Sequence, residues 1–416
     1  MKRTDLEYLA ARGLLRAQNA LLSLVARVGF RRREQPPEQI LVLRSSAIGD
    51  FVCALPALHR LRQRFPRSRI VLLTTPTGNP RYWNRMPEAG GRVLAGRDLV
   101  DEVIFFYARE LKRLSKFLEL RRRVKALAPD MAFLLPFSGE PFLNRLKKIV
   151  FLRLLGVRSN LRGYEMQSSL GAFRRAQFLH GAFPHQVVSA LQAVEGSGRA
   201  AGPDVVFPLN TAGEADRRAE ELWGGLGLNG REPVVALSPG ARFLHKRWPL
   251  ENFLELCRRL LAEFPVRVVV IGGTEDQQLG NVLADTTPAR VHNLAGTTTL
   301  PQTAAVLRRC ALFIGNDSGA AHLAAAAGVP CVTLFSGVVF PGLWEPWGER
   351  NVALRHRVPC EFCFSEGHCP TGTMDCIRGI SVERVLAAAR SFLTPGFSAP
   401  AGVTLAAAGS GARGGD

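Results

Sequence analysis

Two short apolar runs, Ala311 to Ile314 and Cys331 to Phe335, flank the stretch Gly315-Asn316-Asp317-Ser318-Gly319-Ala320-Ala321-His322-Leu323-Ala324-Ala325-Ala326-Ala327-Gly328-Val329-Pro330. An apolar run, a polar Gly-containing turn, an Ala-rich stretch and a second apolar run predict strand, turn, short helix and strand. That is how parallel strands are connected in an α/β domain. Such a turn lies at the carboxyl end of a strand, where α/β sheets bind ligands. Its backbone N–H groups at a helix start suit a diphosphate, and a carboxylate and an imidazole beside them suit hydroxyl groups. A diphosphate next to polyols describes a nucleotide-sugar. The plain alternative is an ordinary turn in which Asp317 or Ser318 merely caps the helix.

The same alternation recurs along the chain. Strands are predicted at Ile40 to Leu43, Ile70 to Thr74, Val103 to Phe106 and Met131 to Leu135, with helices at about 51–64 and 110–127 and a basic, apolar helix within 144–157. The stretch from Thr75 to Val100 reads as a long loop or small insertion, and Gly196 to Pro203 as a linker. The pattern then restarts with strands at Val234 to Leu237 and Val266 to Ile271, a helix that begins after Pro249 and runs to about Phe264, and another at Leu300 to Arg309. The expected fold class is α/β, with two parallel-sheet domains facing each other across a cleft. A chain of 416 residues is long enough for two domains of about 100 to 200 residues each. The expected segments are an N-terminal extension over 1–36, a first domain over 37–200, a second over 201–395, and a disordered Ala/Gly/Ser-rich tail over 396–416.

Three more turns carry chemistry. Arg44-Ser45-Ser46-Ala47-Ile48-Gly49-Asp50 follows the first strand, where Asp50 is a candidate general base on an attacking hydroxyl or, more plainly, a helix cap. Ser238-Pro239-Gly240 leads to Lys246-Arg247-Trp248-Pro249, where Ser238, the Gly240 amide and Lys246 are candidate phosphate contacts; the alternative is a solvated basic loop. Gly272-Gly273-Thr274-Glu275-Asp276 ends a buried strand and offers Glu275 to ribose hydroxyls. Asn293-Leu294-Ala295-Gly296 is a candidate lining of the base pocket.

Together these segments resemble glycosyltransferase family 9, the ADP-heptose:lipopolysaccharide heptosyltransferases. The resemblance rests on the Arg44–Asp50 motif, Ser238-Pro239-Gly240 with Lys246-Arg247-Trp248-Pro249, Leu294-Ala295-Gly296, and Gly315-Asn316-Asp317-Ser318-Gly319 with His322. It implies the two-domain GT-B fold, with the acceptor on the N-terminal domain and the nucleotide-sugar on the C-terminal one. It implies Asp50 as general base, with Arg44, Ser45 and Ser46 on the acceptor. On the donor it implies Ser238, Gly240 and Lys246 at phosphate, Glu275 at ribose and Asp317 at the heptose hydroxyls, with Ser318, Gly319 and His322 near the diphosphate. The implied reaction is one inverting displacement without a metal, in keeping with the lack of a DxD-like carboxylate pair in the sugar-site motifs. Helix termini and positive charge then stabilise the departing nucleoside diphosphate. A GT-B nucleotide-sugar epimerase and a non-catalytic scaffold are the competing readings of the same fold; the epimerase needs further acid/base carboxylates and no acceptor.

A formal net charge of +19 favours an anionic partner, and no nucleic-acid-binding motif is evident, so the expected partners are a nucleotide-sugar, a lipid-linked phosphorylated glycan and an anionic membrane surface. In the extension, Leu14, Ala17, Leu21, Leu24, Val25 and Val28 recur at helical spacing, before Arg31-Arg32-Arg33. Two readings stay open: a helix resting on a membrane, or one packed on the protein's own surface. The basic N-terminus followed by Arg- and Gln-interrupted apolar residues does not predict a signal peptide, so a cytoplasmic protein at the inner face of the membrane is expected. Cys53, Cys257, Cys310 and Cys331 stand in apolar contexts and are expected to be buried thiols. Cys360, Cys363, Cys369 and Cys376 cluster, with His368 among them; structural zinc, disulfides and free thiols are all compatible with this spacing. No cofactor is expected for catalysis.

Overall fold

The computed structural model describes residues 3–27, 35–44, 47–75, 98–168, 173–181, 183–196, 205–209, 211, 213–228, 232–365 and 367–394. Ser45, Ser46, Val28, Arg31 to Arg33, most of the loop expected between Thr75 and Val100, most of the linker and the tail lie outside the described residues. The chain divides into two compact units, with the boundary between Pro208 and Leu209.

The first unit carries a parallel sheet of β1 (Gln39–Leu43), β2 (Arg69–Thr74), β3 (Glu102–Phe105), β4 (Met131–Leu134) and β5 (Asn160–Arg162) in the order β3-β2-β1-β4-β5. β1 and β2 are nearly continuous apolar runs and are buried after their first residues, Gln39 and Arg69, as strands covered on both faces must be. The helix expected over 51–64 is two helices, Ile48–Val52 and Leu55–Arg64. Pro56 stands in the first turn of the second, where its missing N–H costs nothing.

The first helix, Arg3–Arg27, packs on this unit. Leu22 and Ala26 join the core beside Leu152 and Leu161. Asn19 donates to Met166 O and accepts from Met166 N, each at 2.7 Å. Tyr8 stacks on His180 with ring centroids 4.1 Å apart. The stripe picked out by periodicity behaves otherwise: Leu14, Leu21 and Leu24 are exposed.

The second unit has six parallel strands, β6 (Val234–Ser238), β7 (Arg267–Val270), β8 (Val291–Asn293), β9 (Leu312–Asn316), β10 (Cys331–Phe335) and β11 (Asn351–Arg355), in the order β11-β10-β9-β6-β7-β8. The helix Leu250–Glu263 buries Phe253, Leu256, Cys257 and Leu260, the i, i+3, i+4, i+7 face of an amphipathic helix, against this sheet's core. The helix Leu300–Leu307 starts with a capping box: Thr299 Oγ1 accepts from Gln302 N, and Gln302 Oε1 accepts from Thr299 N. Two such parallel α/β units are the GT-B fold class.

Candidate functional site

In the second unit β6 and β9 are sheet neighbours, yet the chain leaves them toward opposite flanks, β6 to β7 and β8, β9 to β10 and β11. At such a reversal of strand order the connections part and leave a crevice at the carboxyl ends. Ser238 and Gly315 are paired in register there, so the turns that follow them begin side by side. A Cβ on Gly315 would stand 2.9 Å from Ser238 Cβ, so the two strands can approach this closely only with glycine at that position.

The turn after β6 runs through Pro239 and Gly240 into a 3-10 turn, Leu244–Lys246. The turn after β9 runs through Asp317 and Ser318 into the helix Gly319–Ala326. Lys246 Nζ donates to Asp317 Oδ2 at 2.6 Å, with both side chains largely buried. Sequence positions 71 apart thus meet as a charged pair at the crevice. Asn316, wholly buried, fixes the geometry: its Nδ2 donates to Pro239 O at 2.8 Å, and its Oδ1 accepts from Trp248 N at 3.0 Å. Trp248 is itself anchored, its Nε1 donating to Ile380 O at 2.8 Å and its ring meeting Phe253 edge-on.

Ser238 is buried at the strand end. Ser318 Oγ is buried without a hydrogen-bond partner among the described residues and does not cap the helix that follows. His322 is buried one turn into that helix, its ring edge-on to Trp344. His245, next to Lys246, is buried and stacks on Phe243. Burial first, then the charge of Lys246, holds its imidazole below the usual range, and His368 adds to this from the Cys-rich segment.

The turn after β7 holds a residue that sequence reasoning passed over. Glu275, the expected ribose contact, is exposed, whereas its neighbour Asp276 is buried. Asp276 Oδ2 accepts from Gly273 N at 3.0 Å, and its Oδ1 has no partner among the described residues. A Cβ on Gly240 would lie 2.1 Å from that Oδ1, so the Ser238-Pro239-Gly240 turn rests directly on the Asp276 carboxylate. Burial raises the Asp276 pKa from its ordinary 3.8, against the Gly273 N–H that lowers it. A cavity of about 550 Å³ abuts the same turn, lined by Pro239, Arg247, Trp248 and Arg378 among others.

The first unit repeats the switch point between β1 and β4. Arg44, at the end of β1, is buried and donates through Nη1 to Leu135 O at 2.8 Å and Pro136 O at 2.6 Å, and through Nη2 to Asp50 O at 2.7 Å. Its guanidinium thus spans the crevice and holds the Asp50 turn. Asp50 Oδ2 accepts from Ala47 N at 3.0 Å, so the carboxylate does cap its short helix, and its side chain remains 21% exposed. Beyond Arg44 lies a buried cluster in which Glu140 faces Lys148 at 2.5 Å and Arg145 at 3.4 Å.

In the Cys-rich segment, Cys360, Cys363, Cys369 and Cys376 are not joined in disulfides, and Cys360 is exposed. The Thr371 hydroxyl and the backbone N–H groups of Met374, Thr371 and Gly372 gather on Cys369 and hold its thiol below the ordinary range. Burial pushes Cys376 up, and the nearby Cys369, Cys360 and Cys363 add to this against a Gly337 N–H. Among the described residues no three His, Cys, Asp or Glu side chains are arranged to hold a metal ion. Phe362 N and Phe364 N donate to Gly337 O and Val338 O, which ties the segment to the loop after β10.

Residues 150–372 match the profile of glycosyltransferase family 9 (heptosyltransferase). The chain is 28% identical over 374 residues to lipopolysaccharide heptosyltransferase 2 of Salmonella typhimurium, covering 86% of this chain and 99% of that protein. Among solved structures, the glycosyltransferase family 9 protein of Veillonella parvula superposes with a TM-score of 0.65 at 20% identity, covering 87% of this chain and 99% of that one. The E. coli ADP-heptose lps heptosyltransferase II superposes with a TM-score of 0.57 at 22% identity, covering 85% and 98%.

Proposed function

Because this chain belongs to glycosyltransferase family 9, we propose that it is a heptosyltransferase that takes ADP-heptose as donor and the core of a lipopolysaccharide, or a similar lipid-linked phosphorylated glycan, as acceptor. The observation that carries the donor reading is the Lys246–Asp317 pair at the β6/β9 switch point, beside Ser238 and the start of the helix Gly319–Ala326. The relatives named above support heptose and lipopolysaccharide, and the E. coli protein's name supports ADP as the carrier.

In this reading the donor diphosphate takes Lys246, with Ser238, the Gly240 amide, Ser318, Gly319 and His322 around it. Asp317, released from Lys246, accepts from the heptose hydroxyls, and Glu275 from the ribose. An acceptor hydroxyl loses its proton to the Asp50 carboxylate and forms a bond to the anomeric carbon from the face opposite the diphosphate. The anomeric carbon–oxygen bond breaks, its electron pair leaves with ADP, and the configuration inverts. Lys246 and the helix N-terminus stabilise the charge that appears on the leaving phosphate, which is the work a metal would otherwise do. Arg44 holds the turn that carries Asp50 and so positions that carboxylate; Arg44, Ser45 and Ser46 are the candidate acceptor contacts, the two serines lying outside the described residues.

Calorimetric titration with ADP-heptose, ADP, UDP and GDP tests the donor. Tight binding of the ADP compounds over UDP and GDP is the expected result; preference for UDP or GDP discards ADP-heptose. Isomerisation of the donor without acceptor would instead make the protein an epimerase.

For the Cys-rich segment, a structural zinc stays our proposal, supported by the clustering of Cys360, Cys363, Cys369 and Cys376 in the sequence and by the donors that favour a thiolate at Cys369; as placed, these side chains do not form a metal site, so zinc would have to draw them together. Elemental analysis of purified protein tests it: about one zinc per chain is expected, and metal-free protein with unaltered stability leaves four free thiols. No described helix is long and apolar enough to cross a membrane. An acceptor carried on a lipid brings the protein to a membrane surface, which we take to be the inner face of the inner membrane.

A further inference from the structure

A helix lying on a protein surface normally turns its polar side outward. The helix Arg3–Arg27 does not. Its packed side uses Ala11, Leu22 and Ala26 together with polar anchors such as Asn19. Its outward side carries Leu6 (53% exposed), Leu9, Leu14, Leu21 and Leu24 (60% exposed), with only Gly and Ala filling the positions between them along that face. The leucines span about 27 Å of helix at the ordinary rise per residue. Arg12, Arg16 and Arg27 run along one edge of this face; the two acidic residues of the helix, Asp5 and Glu7, are partly buried, and Asp5 faces His180 at 3.4 Å. The helix it packs against, Phe142–Leu154, exposes a second stripe of Leu143, Val150 and Leu154 with Lys147.

We propose that this outward leucine face is a docking surface for an anionic phospholipid bilayer, with Leu6, Leu9, Leu21 and Leu24 entering the headgroup–acyl boundary and Arg12, Arg16 and Arg27 meeting lipid phosphates. It rests on the reading that the acceptor is lipid-linked, and it adds the surface by which the protein reaches that lipid. Charge complementarity decides the occupant. A row of arginines beside an apolar stripe fits anionic headgroups over acyl chains. A second copy of the same face brings three more arginines against a single partly exposed carboxylate, Asp5, which already faces His180. The helix already spends its other side on the core, so it lies in the interface plane rather than crossing it; its 25 residues are long enough to span, but they are too polar for it.

The test is flotation of the full chain with vesicles of phosphatidylethanolamine and phosphatidylglycerol, and with phosphatidylcholine alone. The wild type should float with the anionic vesicles and far less with the neutral ones. Leu21→Glu/Leu24→Glu changes two exposed positions and should keep the thermal midpoint and the nucleotide affinity while lowering vesicle affinity at least about tenfold. Arg12→Glu/Arg16→Glu should lower it as well and weaken its dependence on salt. Unchanged flotation of the leucine variant overturns the proposal. So does a wild-type protein that is dimeric by light scattering without lipid and becomes monomeric in the leucine variant with flotation unchanged, since the face then lies between copies. Because flotation needs neither donor nor acceptor, a protein that floats but binds no nucleotide-sugar would refute the transferase reading and leave the docking face standing.

Discussion

Lys246 Nζ and Asp317 Oδ2 stand 2.6 Å apart at the end of the β6/β9 pair, joined from turns 71 positions apart in the chain. A donor diphosphate competes with Asp317 for the ammonium, and a sugar hydroxyl replaces the ammonium at Asp317. Lys246→Ala should therefore lower ADP-heptose affinity by about 1.5–3 kcal/mol, the ordinary worth of a hydrogen bond to a charged group. The same variant leaves Asp317 buried without its cation, so thermal stability of the unliganded protein should fall as well. Calorimetry and thermal unfolding read both effects; an unchanged donor affinity takes Lys246 out of the phosphate site.

Asp50 has two jobs that one substitution can separate. Its Oδ2 accepts the Ala47 N–H, and an asparagine Oδ1 can accept the same bond, so Asp50→Asn keeps the turn. It cannot take a proton. Turnover should drop by about 10²–10⁴-fold with donor affinity near wild type, while loss of the 3.8 Å ion pair to buried Arg44 lowers the thermal midpoint. A steady-state assay showing near-normal kcat would leave Asp50 as a helix cap and nothing more.

The sequence carried the central strands plainly because a strand buried on both faces must be almost wholly apolar, as β1, β6 and β10 are. It carried β5 and β8 poorly: each is three residues long, with Leu161 or Val291 as its single buried residue, too short for any period to appear. Turn chemistry was legible where Gly, Pro and charge coincide, which is why Lys246 and Asp317 stood out. Choosing between Glu275 and Asp276 was not, because both lie in a short 3-10 turn and only the position of Gly240 decides which carboxylate is enclosed. Periodicity found an apolar face on the first helix, but which side of that helix packs depends on Met166 and His180, far along the chain.

Asn316 was visible as part of a motif, yet its work is structural. Asn316→Ala would strand a buried Trp248 N–H and remove a donor from Pro239 O. Two buried polar groups left without partners should cost about 2–4 kcal/mol of stability at the low end of the usual range for each. Donor affinity should fall with it, since both turns of the crevice are tied through this one amide. Denaturant unfolding and calorimetry check the pair of effects; a variant of full stability would mean that the turns are held by other contacts.

Asp276 supplies a pH signature. Burial raises its pKa from 3.8, so in the window above that value the folded protein holds a proton that the unfolded chain has released. Stability then falls as pH rises through the window, is unpenalised by this group below the unfolded value, and bears the full cost of the buried carboxylate above the folded one. Asp276→Asn keeps an oxygen for the Gly273 N–H and removes the charge. Its stability relative to wild type should therefore grow from acid toward neutral pH and level off once Asp276 is fully ionised in the folded protein. Gly240→Ala, which drives a methyl into the same carboxylate, should destabilise at every pH. Urea unfolding of the three proteins across that range is the measurement. Parallel curves for wild type and Asp276→Asn would show that the carboxylate is solvated after all and that Gly240 rests on a neutral contact.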